Sequence, residues 1–209
     1  MDDYLSEAEQ WERAKAWLKV NVPWIIAGVA IAVVGISGWR WWQGRQDQNL
    51  AHAARLYDEM AAAFDKNDAG NVGRLAKQLD SEYAGTGYAD HAALVTARMN
   101  VQDGKKEQAV EDLRKVMTST KDKELALVAR LRLARIQIDQ KKPDDAMKTL
   151  EGATPGVFAA RFAEVRGDAL YAKGDAQGAL KAYREALQPN DPTVDSELLT
   201  LKINSLASS

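Results

Sequence analysis

Hydrophobic and polar positions are distributed very unevenly along this chain. From Val20 to Trp39 there is no charged side chain, and Lys19 and Arg40 bracket those twenty residues. As a helix the stretch measures about 30 Å, the thickness of a bilayer hydrocarbon core. Beyond Trp42 the pattern changes to alanine-rich amphipathic segments broken by short turns at regular intervals. The first is ARLYDEMAAAF, and the whole remainder predicts helices with no strand-like alternation. The division expected is a leader over 1–19, a membrane helix with an interfacial Trp/Arg segment over 20–42, and a helical body over 43–209.

The apolar run predicts a membrane anchor. Trp24 stands at one end and Trp39, Trp41 and Trp42 at the other, and indole rings favour the headgroup level. Arg40 and Arg45 can keep their charged ends in water from there. Asn21 and Pro23 sit at the start, where proline fits a first helical turn. All six tryptophans of the chain fall between positions 11 and 42, so this part meets surroundings unlike those of the body. A core helix would not need tryptophan at both ends. A cleaved signal is opposed by a long leader carrying Asp2, Asp3, Glu7, Glu9 and Glu12, although Gly35-Ile36-Ser37 has small residues at cleavage spacing. Ile25 lies in the span, and Gly28, Ala32 and Gly35 share one side, which would let another membrane helix approach closely. Small residues are also simply common in such spans. The leader reads as a short helix, with Ser6 and Glu9 spaced as a capping box and Trp11, Ala14 and Leu18 on one face. Arg13, Lys15 and Lys19 before the span balance Arg40, Arg45 and Arg55 after it, so the charge rule leaves orientation open.

Three segments of the body superpose without internal gaps: HAALVTARMNVQDGKKEQAVEDLRKV from His91, VARLRLARIQIDQKKPDDAMKTLEGA from Val128 and RFAEVRGDALYAKGDAQGALKAYREA from Arg161. Small residues recur at Ala97, Ala134 and Gly167, and again at Ala109, Ala146 and Ala179. Between them lie turns at Gly104, Lys141 and Gly174, and larger side chains follow at Leu113, Leu150 and Tyr183. Two antiparallel helices on a tight turn can cross closely only at small residues, and one hairpin cannot bury its own apolar face, so hairpins must stack. This is the tetratricopeptide repeat (TPR) pattern, which implies an all-α fold: one N-terminal transmembrane helix followed by a TPR-like solenoid of helical hairpins. Asn100, Gln137 and Leu170 replace the consensus aromatic of the first helix. The units are 37 and 33 residues apart, with the extra four residues expected in the loop from Ser119 to Lys123. Residues 51–82 predict a further hairpin through Leu56, Met60, Phe64, Leu75 and Leu79. The terminal SELLTLKINSL places Leu199, Ile203 and Leu206 on one face, as a capping helix would.

Charge and composition narrow the function classes. The 28 Lys and Arg nearly balance 30 Asp and Glu, giving a net charge of −2, which argues against nucleic acid as a partner. With no cysteine, disulfides, zinc–thiolate sites and thiol nucleophiles are excluded. His52 and His91 stand alone, and no motif for metal hydrolysis, acyl transfer or nucleotide binding occurs, so no catalytic, cofactor or metal residue and no small-molecule substrate is expected. What remains is a groove lined by first helices: Leu94, Leu131 and Glu164 in one row, Arg98, Arg135 and Asp168 in the next, Val101, Ile138 and Tyr171 in the last. Such a groove could hold a segment bearing an acid, or the arginines could pair with acids on neighbouring helices.

The short acidic leader, a span ending in GWRWW, LRLAR, RGDAL and a late KIN occur in the order found in the ancillary SecYEG translocon subunits, the YfgM family of Gram-negative inner membranes, which the chain resembles along its length. The resemblance implies a cytoplasmic leader and a periplasmic TPR body at the cell inner membrane. It implies as partners the SecYEG translocon, the periplasmic chaperone PpiD and exported chains, which would be passed on to periplasmic chaperones. It also implies, as an alternative emphasis, restraint of Rcs envelope-stress signalling. A structural scaffold of envelope assembly without client binding is a further alternative.

Overall fold

The computed structural model describes residues 7–188 and 191–207. All regular structure among these is helical: α1 (Glu7–Asp65), α2 (Ala69–Glu82), α3 (Gly87–Gln102), α4 (Lys106–Ser119), α5 (Lys123–Asp139), α6 (Pro143–Leu150), a 3-10 turn (Gly156–Phe158), α7 (Ala159–Ala172), α8 (Ala176–Leu187) and α9 (Ser196–Ala207). The chain divides into two compact units, Met1–Ala51 and His52–Ser209, at a point inside α1.

In the first unit α1 holds the one stretch among the described residues long and apolar enough to cross a membrane, and none of that stretch is buried against protein. Trp24 is 77% exposed, and the aliphatic side chains from Val29 to Ile36 are exposed on all sides. A helix apolar all round with no protein cover is what lipid would solvate. The leader is not a separate helix: it runs into the span, and Pro23 lies inside α1 rather than in a first turn. Proline has no N–H for the carbonyl four residues back. Two residues earlier, Asn21 Nδ2 donates to the Trp17 carbonyl at 2.8 Å. The capping box expected at Ser6 and Glu9 falls partly outside the described residues, as does Pro189.

The second unit is a stack of hairpins: the end of α1 with α2, then α3–α4, α5–α6 and α7–α8, with α9 against α8. Each hairpin turns through one residue of positive φ, at Asn67 (56°), Gly104 (75°), Lys141 (62°) and Gly174 (85°). In every turn the next amide reaches back to the carbonyl five residues earlier, from Asp68 to Ala63, Lys105 to Asn100, Lys142 to Gln137 and Asp175 to Leu170, at 2.7–3.0 Å. These closures satisfy carbonyls that a helix end would otherwise leave free. Asn67 precedes Gly104 by the same 37 residues that separate Gly104 from Lys141, so the first hairpin keeps the register of the others. The expected four-residue loop insertion is absent. Only Thr120–Asp122 separate α4 from α5, and the added length lies in those two helices, of 14 and 17 residues.

Packing between the paired helices follows a rule of compensating size. Column by column the facing residues are Met60 and Ala76, Ala97 and Leu113, Ala134 and Leu150, Gly167 and Tyr183. Whenever one partner grows, the other shrinks, which keeps interior density constant. A second column compensates polarity. Asn100 Nδ2 donates to Asp112 Oδ2 at 2.9 Å, and Thr149 Oγ1 donates to Gln137 Oε1 at 2.7 Å. The equivalent positions in the outer hairpins are the apolar pairs Ala63/Leu75 and Leu170/Ala182. Asn100 and Gln137 are thus buried polar groups that carry their partners with them. Each apolar cluster also takes in the first helix of the following hairpin, and the last is closed by Leu199, Ile203 and Leu206 of α9.

Candidate partner-binding face

The first helix of each hairpin is wedged between its own partner and the next hairpin, and this decides which of its side chains stay accessible. Leu94 and Leu131 do not line a groove. They are 5% and 3% exposed and belong to the apolar clusters between hairpins, because this row of the helix turns toward the neighbour. The rows that remain accessible are Arg98 and Arg135 with Asp168, and Val101, Ile138 and Tyr171. Val101 is 39% exposed and Tyr171 is 59% exposed, while Ile138 is half-buried.

Asp168 is not a free acid. Lys202 Nζ of α9 donates to Asp168 Oδ1 at 2.6 Å, and Tyr183 Oη donates to the same oxygen at 2.8 Å. Lys202 also approaches Glu164 at 3.8 Å and lies over the Tyr183 ring, 5.2 Å from its centre. Glu164 in turn takes Arg135 Nη2 at 3.2 Å. Arg135 therefore meets the alternative described above, pairing with an acid of the next helix. Arg98 lies over the Phe64 ring, 5.3 Å from its centre, and pairs with no acid among the described residues. Burial and the bond to Asp168 push the Tyr183 hydroxyl far above its ordinary range, so it stays a donor. Lys202 is not among the residues that the sequence singles out, yet it ties α9 to the acids of α7. Its signal was a lysine one turn from Leu199 and Leu206, on the apolar side of the terminal helix.

Two adjoining cavities share Asp168 and Tyr171. One of about 810 Å³ is lined by Arg135, Ile138, Pro143 and Tyr171 among others, and its rim carries the pair Lys173–Asp144 at 2.7 Å. That pair holds the Asp144 carboxyl below and the Lys173 ammonium above their usual ranges. The other, of about 330 Å³, lies between Tyr171, Tyr183, Leu201, Lys202 and Leu206, and is mainly apolar. Together they form a cleft with an aromatic side chain standing in it and paired charges at its edges, which suits a polypeptide segment. No group of three or more metal-ligating side chains occurs among the described residues. His91 sits 6.1 Å from the Tyr57 ring and His52 is exposed, with no acid–base partner for either among the described residues.

The first unit has its own candidate surface. Trp39 and Trp42 are tilted against each other at 5.5 Å, and Arg45 lies over Trp41 at 5.0 Å, with Arg40 alongside. Nothing lies within 4 Å of a Cβ placed on Gly28 or Gly35. The side of α1 that carries Gly28, Ala32 and Gly35 is uncovered, as is Ile25.

A bilayer-length apolar helix and a stack of hairpins with left-handed turns make this a membrane-anchored, TPR-like helical-repeat protein. A family model described as a tetratricopeptide repeat-like domain matches residues 15–208. The chain is 31% identical over 207 residues to the ancillary SecYEG translocon subunit of Escherichia coli (strain K12), covering 99% of this chain and 100% of that one. It is 29% identical over 209 residues to the subunit of that name from Neisseria gonorrhoeae, covering 99% and 100%. The one from Haemophilus influenzae is 27% identical over 202 residues, covering 97% and 98%. The chain belongs to the ancillary SecYEG translocon subunit family. No solved structure matches it.

Proposed function

We propose that this protein is a non-enzymatic adaptor of the cell inner membrane, an ancillary subunit of the SecYEG translocon that works with PpiD and passes exported chains to periplasmic chaperones. The leader lies in the cytoplasm and the repeat body in the periplasm. The observation that carries the reading is likeness from end to end: relatives named as ancillary SecYEG translocon subunits align over nearly all of both chains, span and body alike. The physical rationale is effective concentration. A body tethered by one helix meets a partner in the same membrane intramolecularly once that helix has docked, and weak contacts of the body then suffice. Gly28, Ala32 and Gly35 are the docking side of the helix in this reading, and the cleft around Tyr171 is the contact of the body.

The test is affinity purification of the full chain in mild detergent. SecYEG is expected to co-purify, and replacing Gly28 and Ala32 with leucine is expected to weaken its recovery while the body stays folded. Absence of SecYEG from the wild-type eluate would overturn the reading.

A further inference from the structure

Past the end of the apolar run, α1 is not uniform around its axis. Arg40 is the first charged residue after twenty without charge, so it marks the edge of the hydrocarbon layer. Gly44 follows about 6 Å further along the helix. That is the depth of the headgroups, which fill about 5–7 Å on each side of the hydrocarbon. Arg40, Trp41, Gly44, Arg45 and Gln48 lie on one side of α1 and enclose an open notch of about 430 Å³. Gly44 is its floor, where a Cβ would meet nothing within 4 Å. Arg45 lies over the Trp41 ring, 5.0 Å from its centre, a placement that leaves the N–H donors of its edge to an anion. Trp39 and Trp42 lie against each other about half a turn around the helix. Gly28, Ala32 and Gly35 share that other side, so the notch faces away from the docking side proposed above.

Charge decides what such a notch accepts. No acid occurs between Glu12 and Asp47. Among the described residues Arg40, Arg45 and Asp47 form no ion pair. The other end of the span differs. There Lys15 lies over Trp11 and pairs with Glu12 at 3.3 Å, so the leader supplies its own counter-charge. At the body's end the counter-charge must come from outside the chain, and anionic headgroups lie at that depth. Toward the span the same side of α1 continues through Ser37, Val34 and Val33, and both valines are exposed. An acyl chain can run along them from a phosphate held at Gly44.

We propose that Arg40, Arg45 and Gln48, set around Gly44, bind the headgroup of an anionic phospholipid of the phosphatidylglycerol type, in the leaflet at the body's end of the span. The guanidinium groups take the two free oxygens of the phosphodiester, which suit their paired donors. Gln48 stands outermost, at the level of the headgroup hydroxyls, to which its amide can both donate and accept. A zwitterionic headgroup fits less well, because its ammonium finds no carboxylate in the notch. A soluble anion lacks the acyl chains that the side of Val33 and Val34 would hold. The inference goes beyond the adaptor reading and does not depend on it, since it needs only the helix in lipid.

Native mass spectrometry tests it, on the full chain in mild detergent titrated with dioleoyl phosphatidylglycerol or dioleoyl phosphatidylethanolamine. One phosphatidylglycerol per chain is expected, held at least about tenfold more tightly than phosphatidylethanolamine. R40Q and R45Q should each weaken it about fivefold. G44L fills the notch without touching charge and should weaken it to a similar extent, with helix content by circular dichroism unchanged. K19Q removes one cation from the other end of the span and should leave the lipid preference as it is. Equal retention of the two lipids would overturn the inference, as would G44L binding like the wild type. K19Q weakening phosphatidylglycerol as much as R45Q would reduce the notch to part of a general cationic belt. Displacement of the lipid by inorganic phosphate would make it a site for soluble anions, and either result rejects the proposal.

Discussion

Gly167 leaves no room for a Cβ against the ring of Tyr183, so replacing it with alanine tests the size pairing of the hairpins directly. A Cβ there would lie 2.5 Å from Tyr183 Cδ1, closer still to Cε1, and 3.1 Å from Cζ. Carbon atoms in contact sit about 3.5–4 Å apart, so the ring must retreat by about 1 Å. It has little room. Tyr183 is 2% exposed, and its hydroxyl is held by Asp168, which also holds Lys202. Overpacking of this kind costs about 1–3 kcal/mol, and weakening the hydrogen bond adds about 1. Alanine returns about 1 kcal/mol through its better helix propensity. The net expectation is a loss of about 2 kcal/mol, or about 4–8 °C in Tm for a chain of this size. Thermal unfolding of G167A followed by circular dichroism at the helix band measures it. In a Y183L background, which gives the smaller pairing of the two preceding hairpins, G167A should be neutral or stabilising. A G167A chain melting at or above the wild-type temperature would refute the size-compensation rule.

Lys141 occupies the left-handed turn position that glycine fills at Gly104 and Gly174, so K141G should add about 1 kcal/mol of stability, read as a rise in Tm. Burial pushes the Asp112 carboxyl up, and the bond from Asn100 only partly offsets this. The folded chain therefore holds that proton more tightly than the unfolded one. Its stability contribution is greatest below the ordinary carboxylate range and is lost as pH rises through the folded value. D112N removes this titration, so its Tm relative to wild type should rise as pH climbs from the ordinary carboxylate range upward; a constant gap would contradict the assignment. K202M leaves Glu164 and Asp168 without their shared cation. It should cost about 1–2 kcal/mol and speed amide hydrogen exchange in α9, and unchanged exchange there would remove Lys202 from the closing network.

Much of the repeat body was legible because its constraints are local. The turn column from Gly104 to Gly174 and the small-residue columns at Ala97 and Ala109 recur together, at steps of 37 and then 33 residues, and each is imposed by the geometry of one hairpin. The same step leads back to Asn67, but there the first hairpin inverts its size pairing to Met60 and Ala76, which hides it from a search for small residues at fixed places. Asn100 and Gln137 read as departures from a consensus until their partners twelve residues on, Asp112 and Thr149, are seen with them. The face was harder. Whether Leu94 or Arg98 is left accessible depends on how the next hairpin packs across the helix, a long-range contact that no spacing within one repeat encodes. The continuity of α1 through Pro23 escaped for a different reason, since proline at Asn21-Val22-Pro23 fits a helix start as well as an interior.

In the proposed function a helix held in lipid presents the repeat body on the periplasmic side. Protease added to intact spheroplasts, followed by carbonate extraction, tests this most directly. The expected result is digestion of the body, while a fragment containing the leader and Trp24 stays in the membrane pellet and resists carbonate. A body that survives until the membrane is opened, or a whole chain released by carbonate, would contradict it.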